Sequence, residues 1–278
     1  SSEKQFIDSF ATYLLAVTMI CGFLLITGCQ DKTSAQTTTT ARQKKTTSTP
    51  TTALVAKSLW MVAVGDVMLD RNVGKSIRAN GPQAILSHVK MQLRAPQLTF
   101  ANLECPLSAT GPHDPSNCCF RAAPETVKVL QDGGIDVVAL ANNHSLNAGR
   151  EGILNTFKTL DDNAIAYCGS KEDRERAVEP VIFNVNETRI GFMACTDLSF
   201  DHGSYVKFDK DPQKILTAVT EARRHCDLLF VSVHWGEEYE PMPRDRQIRT
   251  ARQLLDAGAD CILGHHPHTL QGIGVYKN

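Results

Sequence analysis

The sequence predicts an α/β fold over residues 58–278. Two observations carry that prediction. Short apolar runs of strand length alternate with segments whose apolar residues recur at helical spacing, as in a sheet covered on both faces. Five of those runs then break off into polar residues able to bind a metal, the position at which α/β folds place their ligands.

Residues 59–64 are apolar and lead into Gly65-Asp66, and residues 83–93 carry apolar side chains at helical spacing. Residues 98–101 are apolar again and run into Asn102-Leu103-Glu104. Residues 124–130 read as helix, and residues 136–141 as a strand ending in Asn142-Asn143-His144. Residues 152–160 are helical, and 180–185 with 189–194 read as a hairpin across Asn186-Glu187. A helix over 215–224 precedes a strand over 228–233 that ends in His234-Trp235-Gly236. A helix over 248–257 precedes a last strand over 261–263, which ends in Gly264-His265-His266-Pro267-His268. No internal repeat interrupts this order.

The first 57 residues have a different character. Residues 9–28 hold no charged side chain and are long enough to cross a bilayer as a helix, or to serve as a secretory signal. Their end, Leu25-Ile26-Thr27-Gly28-Cys29, resembles the lipobox of bacterial lipoproteins, which makes Cys29 the lipidation candidate; a plain signal anchor is the alternative. Either reading places the rest of the chain outside the cytoplasm, in the periplasm or at the cell surface, tethered to the membrane. Ten of the twenty residues from 33 to 52 are Thr, so residues 30–57 form a flexible linker with too little apolar surface to order. The expected division is an anchor over 1–29, this linker, and the domain over 58–278. Starting at Ser1 and stopping just after the last motif, the chain reads as part of a longer protein, with the domain incomplete at its C-terminus.

Composition narrows the function classes. Apolar residues make up 42% and charged residues 21%, which fits a globular rather than a disordered chain. Lys and Arg number 29 against 30 Asp and Glu, so charge gives no case for nucleic acid as a partner. Residues 1–57 carry six basic and three acidic groups, a bias that suits an anionic membrane surface. Of nine cysteines, Cys21 lies in the apolar run, Cys29 is the lipid candidate and seven fall in the domain. In an oxidising compartment that odd number leaves a free thiol. Cys168, Cys195 and Cys261 read as buried, and Cys118 or Cys119 could pair with Cys105.

Five of the nine histidines follow strand-like runs. Singly each polar residue there has an ordinary reading: Asp66 as a turn residue or cap, Glu104 as a solvated loop acid, His144 as a satisfied core histidine. Together Asp66, Glu104, Asn143, His234, His266 and His268 supply three imidazoles, two carboxylates and an amide. His266 and His268 share one face of an extended segment. Such a mixed nitrogen and oxygen set suits one or two divalent ions of Zn, Mn or Fe rather than Ca.

Five motifs in this order carry a resemblance: Val64-Gly65-Asp66-Val67-Met68-Leu69, Asn102-Leu103-Glu104-Cys105-Pro106-Leu107, Ala141-Asn142-Asn143-His144, His234-Trp235-Gly236-Glu237-Glu238-Tyr239 and Gly264-His265-His266-Pro267-His268. They resemble the CapA (also PgsA) family of poly-γ-glutamate capsule proteins, over about residues 60–276. That family is similar in turn to the calcineurin-like metallophosphatases. The resemblance implies a two-sheet β sandwich flanked by helices. It implies Asp66 and His268 on a first metal, Glu104 bridging, and Asn143 and His234 on a second metal with His266 beside them. His144 would be the catalytic acid or charge stabiliser.

The chain departs from the phosphatase pattern at three places. Met68 stands where the phosphatase motif has a ligand His, Glu104 is one methylene longer than the usual Asp, and Asn147 stands where many family members have Asp. Asn147 can accept a hydrogen bond from His144 but cannot supply a negative charge. Arg121, a candidate substrate-binding residue with His265, is suited to carboxylate or phosphate, with a plain surface arginine as the alternative. Trp235 and Tyr239 suit either a site wall or core packing, and Glu237 and Glu238 are placed to hold imidazole N–H groups.

The resemblance implies three alternative functions, of which the first is the expectation. The first is a membrane-tethered component of poly-γ-glutamate synthesis and export, in contact with the polymer and with synthase or export subunits. The second is a periplasmic metal-dependent hydrolase of a phosphoester or of the polymer γ-amide. The third is a non-catalytic polyanion-binding module.

Overall fold

The computed structural model describes residues 59–198 and 206–277. The expected anchor, Cys29 and the Thr-rich linker lie outside the described residues. No helix among the described residues is long and apolar enough to cross a membrane.

Strand β1 (Met61–Val67) pairs in parallel with β2 (Leu98–Leu103), β2 with β3 (Val137–Ala139), and β3 with β4 (Ala166–Cys168). A second sheet has the order β5 (Val181–Val185), β6 (Thr188–Thr196), β7 (Leu228–His234) and β8 (Cys261–His265). Only β5 in that sheet runs antiparallel to its neighbour. Its hairpin turn falls at Asn186 and Glu187 as expected, and both have positive φ, 51° and 71°. Two left-handed central residues make the tight turn whose twist suits a hairpin.

Period-two alternation sorts the strand side chains between two faces. Ala101, Leu103 and Val138 of the first sheet face an outer cluster with Ile77, Leu130, Ile153, Phe157 and Leu160. Those five come from α1 (Arg71–Asn80), α3 (Val127–Gly133) and α4 (Gly149–Asp162). Met193, Cys195, Leu229, Val231 and Val233 of the second sheet pack on Ile215, Val219, Ala222 and Leu254. These belong to α5 (Pro212–His225) and α6 (Asp245–Asp256). The opposite faces meet between the sheets, where Phe100 stacks on Phe192 at 5.5 Å and Phe192 on Phe230 at 5.4 Å. The result is an α/β fold of two sheets flanked by helices.

Three local outcomes differ from the sequence expectations. Residues 83–93 are not one helix: a single 3-10 turn at Pro82–Ala84 is separated from the short α2 (Lys90–Arg94). Between them the Ser87 hydroxyl donates to the Ala84 carbonyl at 2.9 Å, an alternative to continued helix that Ser offers readily. Helix α1 and strand β4 were not foreseen, because α1 carries only Val73 and Ile77 as large apolar residues and β4 has three residues. The seven described cysteines are all free. Cys105 is buried with its Sγ accepting the Leu69 N–H at 3.3 Å, which removes it from a pairing with Cys118 or Cys119, and Cys261 is only half-buried.

Candidate metal centre

All six expected ligand residues come together at the carboxyl ends of the strands, where the two sheets meet. Asp66 reaches the site through a bulge in β1: three residue steps from Ala63 to Asp66 oppose two on β2, from Phe100 to Asn102. An extra residue of this kind re-aims the side chain that follows it. Asn102 and Glu104, two apart along β2 and its extension, share the inner face. In the second sheet, register puts His234 opposite His265, so the ends of β7 and β8 are level.

The Asp66 carboxylate is the hub. Its Oδ2 lies 3.0 Å from His268 Nδ1 and accepts the His266 backbone N–H at 3.1 Å. Its Oδ1 accepts from Asn102 Nδ2 at 2.7 Å and lies 3.4 Å from His265 Nδ1. His234 Nε2 lies 2.8 Å from Asn143 Oδ1 and 3.4 Å from Glu104 Oε1, while His268 Nε2 is 3.9 Å from that same oxygen. The His234 and His266 rings are 4.8 Å apart.

Three ligand sets have their donor atoms within 4.8 Å of one another: Glu104 with His234 and His266, Asp66 with Glu104 and His268, and Glu238 with His266 and His268. Glu104 Oε1 is buried and accepts no hydrogen bond. A buried carboxylate oxygen left so among imidazoles is costly unless a cation completes it. The nitrogen and oxygen donors therefore fit a divalent ion of the Zn, Mn or Fe type.

Protonation follows the same logic. Burial, reinforced by the charge of Asp66, pushes the Glu104 carboxyl up to about 8. Burial would also raise Asp66, but close contact with His265 and His268 outweighs it and holds that carboxyl well below the usual range. Burial keeps His234 and His266 below their ordinary value, hence neutral, the form in which imidazole ligates metal. The hydrogen bond to Asp66 raises His268 instead.

Backbone strain gathers here too. His266, His268 and Tyr239 have φ of 93°, 51° and 62°, a region uncommon for residues other than glycine, so the segment carrying His266 and His268 is bent rather than extended as expected, and the Tyr239 N–H ties its loop to the Pro267 carbonyl at 2.7 Å. Gly264 in β8 is a glycine for a different reason. A Cβ there would stand 2.9 Å from Trp235 Nε1.

His144 lies beside the ligand set. Asn147 Oδ1 accepts the Phe120 N–H at 2.9 Å and lies 2.9 Å from His144 Nδ1, so Nδ1 carries the imidazole proton. His144 Nε2 then faces Asn143 Nδ2 at 3.2 Å. The Phe120 ring covers the imidazole at 4.6 Å.

The remaining candidates divide between the site and its surroundings. His265 is buried against Phe100, inside the ligand group rather than facing solvent. Arg121 directs its guanidinium to the Ala109 carbonyl at 2.9 Å. Trp235 packs into the outer cluster of the second sheet, whereas Tyr239 is exposed with its ring 6.2 Å from His268. Sequence reasoning missed Asn102, whose Nδ2 lies between Asp66 and His234 Nδ1, and Asn142, which donates to Asn102 Oδ1 at 3.1 Å. The signal for Asn102 was its period-two spacing from Glu104. Glu238, expected to hold an imidazole N–H, has a carboxylate oxygen within 4.8 Å of donor nitrogens of His266 and His268.

The model of the family described as bacterial capsule synthesis protein PGA_cap matches residues 60–278. The chain is 32% identical over 235 residues to the capsule biosynthesis protein CapA of Bacillus anthracis, covering 80% of this chain and 57% of that protein. It is 32% identical over 222 residues to the PGA biosynthesis protein CapA of Bacillus subtilis strain 168, covering 77% and 58%. A probable polyglutamine synthesis accessory protein of Mycobacterium tuberculosis is 27% identical over 200 residues, covering 66% and 53%. The chain thus spans a little over half the length of these curated relatives. With the match running through the whole described domain, the chain belongs to the PGA_cap family of bacterial capsule synthesis proteins.

Proposed function

We propose that this chain is the extracytoplasmic, membrane-tethered part of a poly-γ-glutamate capsule synthesis or export machine, built around a centre for one or two divalent ions. The observation that carries the reading is the convergence of Asp66, Glu104, Asn143, His234, His266 and His268 from two sheets, with the Glu104 oxygen buried among imidazoles. The names of the relatives support the polymer as the material handled. The uncharged run over residues 9–28, ending at Cys29, supports the tether. A cell-envelope location and contact with synthase or export subunits follow from that reading.

A divalent ion bound there supplies counter-charge and Lewis-acid polarisation to an anionic substrate. Asp66 orients His268, and Asn102 orients Asp66 and His234. His144, fixed by Asn147 through Nδ1, presents Nε2 as the atom that takes up a proton and returns it. That arrangement supports a second reading, hydrolysis of a phosphoester or of the polymer γ-amide. Met68 weighs against rapid phosphatase turnover, because it packs into the first hydrophobic cluster at a position where a ligand His would serve the metal.

The test is elemental analysis of protein purified without chelator, beside the His266→Ala/His268→Ala double variant. One to two equivalents of Zn, Mn or Fe in the wild type, lost in the variant, are expected. A double variant with full metal content would sink the ligand assignment. A metal-loaded wild type that cleaves neither γ-glutamyl oligomer nor phosphoester would leave a binding role for the centre.

A further inference from the structure

We propose that Arg71 is an anion clamp at the mouth of this centre, holding a carboxylate or phosphate group of the substrate beside His144. The inference rests on the reading of the centre as one that handles an anionic substrate, and it names the residue that recognises the anion.

Arg71 is the first residue of α1, exposed, with φ 54°. A left-handed arginine is uncommon, and such strain persists where the surroundings over-determine it. Here the determinant is Asp70. Its carboxylate accepts the backbone N–H of Arg71 and that of Arg121, the latter at 3.0 Å, and lies 2.8 Å from His113 Nε2. One buried acid therefore pins the start of α1 to the loop that carries Phe120. The Arg71 guanidinium comes to lie over the Phe120 ring, 5.4 Å from its centroid, and that ring packs at 4.6 Å on His144. Phe120 is itself held by Asn147, the residue that orients His144.

Arg71 and His144 thus both pack on Phe120, the two rings tilted by 49°, in a series of contacts leading to the site. Among the described residues the Arg71 guanidinium has no carboxylate partner. Its planar fork is open for an oxyanion, while the aromatic face fixes its orientation. Arg121, by contrast, spends a guanidinium N–H on the Ala109 carbonyl.

The experiment is calorimetric titration of the purified protein with two probes, a γ-linked glutamate oligomer and inorganic phosphate. Wild type, R71Q, R71K and R71G are compared, and metal content and unfolding midpoint are read on the same samples. R71Q and R71G are expected to bind at least tenfold more weakly, with R71K in between because it keeps the charge but not the fork. Glycine adopts φ 54° freely, so R71G tests the side chain with the backbone spared. Losses on both probes assign a general oxyanion clamp, and a loss on the oligomer alone assigns carboxylate. Wild-type affinity in R71Q and R71G, or no binding of either probe by the wild type, overturns the proposal. Binding that depends on Arg71 in a protein without metal keeps the clamp and overturns the metal centre instead.

Discussion

Glu104 shows how one residue couples the site to the stability of the fold. Its carboxyl is raised from 4.5 to about 8, chiefly by burial and then by Asp66. Between those values the folded chain holds a proton that the unfolded chain has released, so stability falls as pH rises through the window. The expected slope is on the order of 1 kcal/mol per pH unit. His234 and His266 act in the opposite sense, because burial keeps them neutral when folded and unfolding lets them take protons at low pH. Only the difference between two proteins isolates Glu104. In chelator-treated samples, urea unfolding of wild type and Glu104→Gln from pH 5 to pH 8 should show the variant gaining on the wild type as pH rises. Parallel pH profiles would mean that the folded protein already holds this carboxyl ionised.

The strand ends were the most legible elements, for a physical reason. A strand buried on both faces is apolar along most of its length, so the switch to Asp66, Glu104, His234 and His265 marks the carboxyl ends of the strands in the sequence. Side chains that act sideways, across strands, leave a fainter mark. Asn102 sits inside β2 and reads as a polar flaw until the partner sheet brings His234 against it. Arg71 was silent because its role depends on a backbone twist that no periodicity encodes. Short elements such as β4 lack the length to show a pattern at all. The pairing of β7 with β8 offers an element-scale test. Gly264 lies against the Trp235 indole, which caps the second core next to His234 and His265. Gly264→Ala must push that ring aside, at a cost of about 1–3 kcal/mol typical of overpacking. A lowered urea midpoint with red-shifted tryptophan emission is expected. An unchanged midpoint and spectrum would show that the indole has room to yield.

At the scale of the described domain, the two sheets own separate cores on their outer faces and meet through the inner aromatic layer, the ligand group and the packing of β4, with Gly169 beyond it, on the second sheet. Asp66, Glu104 and Asn143 come from the first sheet, and His234, His266 and His268 from the second. An ion bound by both sets acts as a crosslink between sheets, present in the folded chain and absent from the unfolded one. Mass action then makes the ion a stabiliser of the sandwich as a unit, by about 2.7 kcal/mol at a free concentration one hundred times Kd. For a domain of this size that corresponds to a rise in Tm of roughly 5–10 °C. Hydrogen exchange should slow together in β2 around Phe100 and in β6 around Phe192, because neither sheet can open without releasing ligands. The His266→Ala/His268→Ala variant should lose both effects. Protection confined to one sheet, or an equal rise in Tm for the double variant, would mean that the ion binds on one side of the interface and the sheets are held by their packing without it.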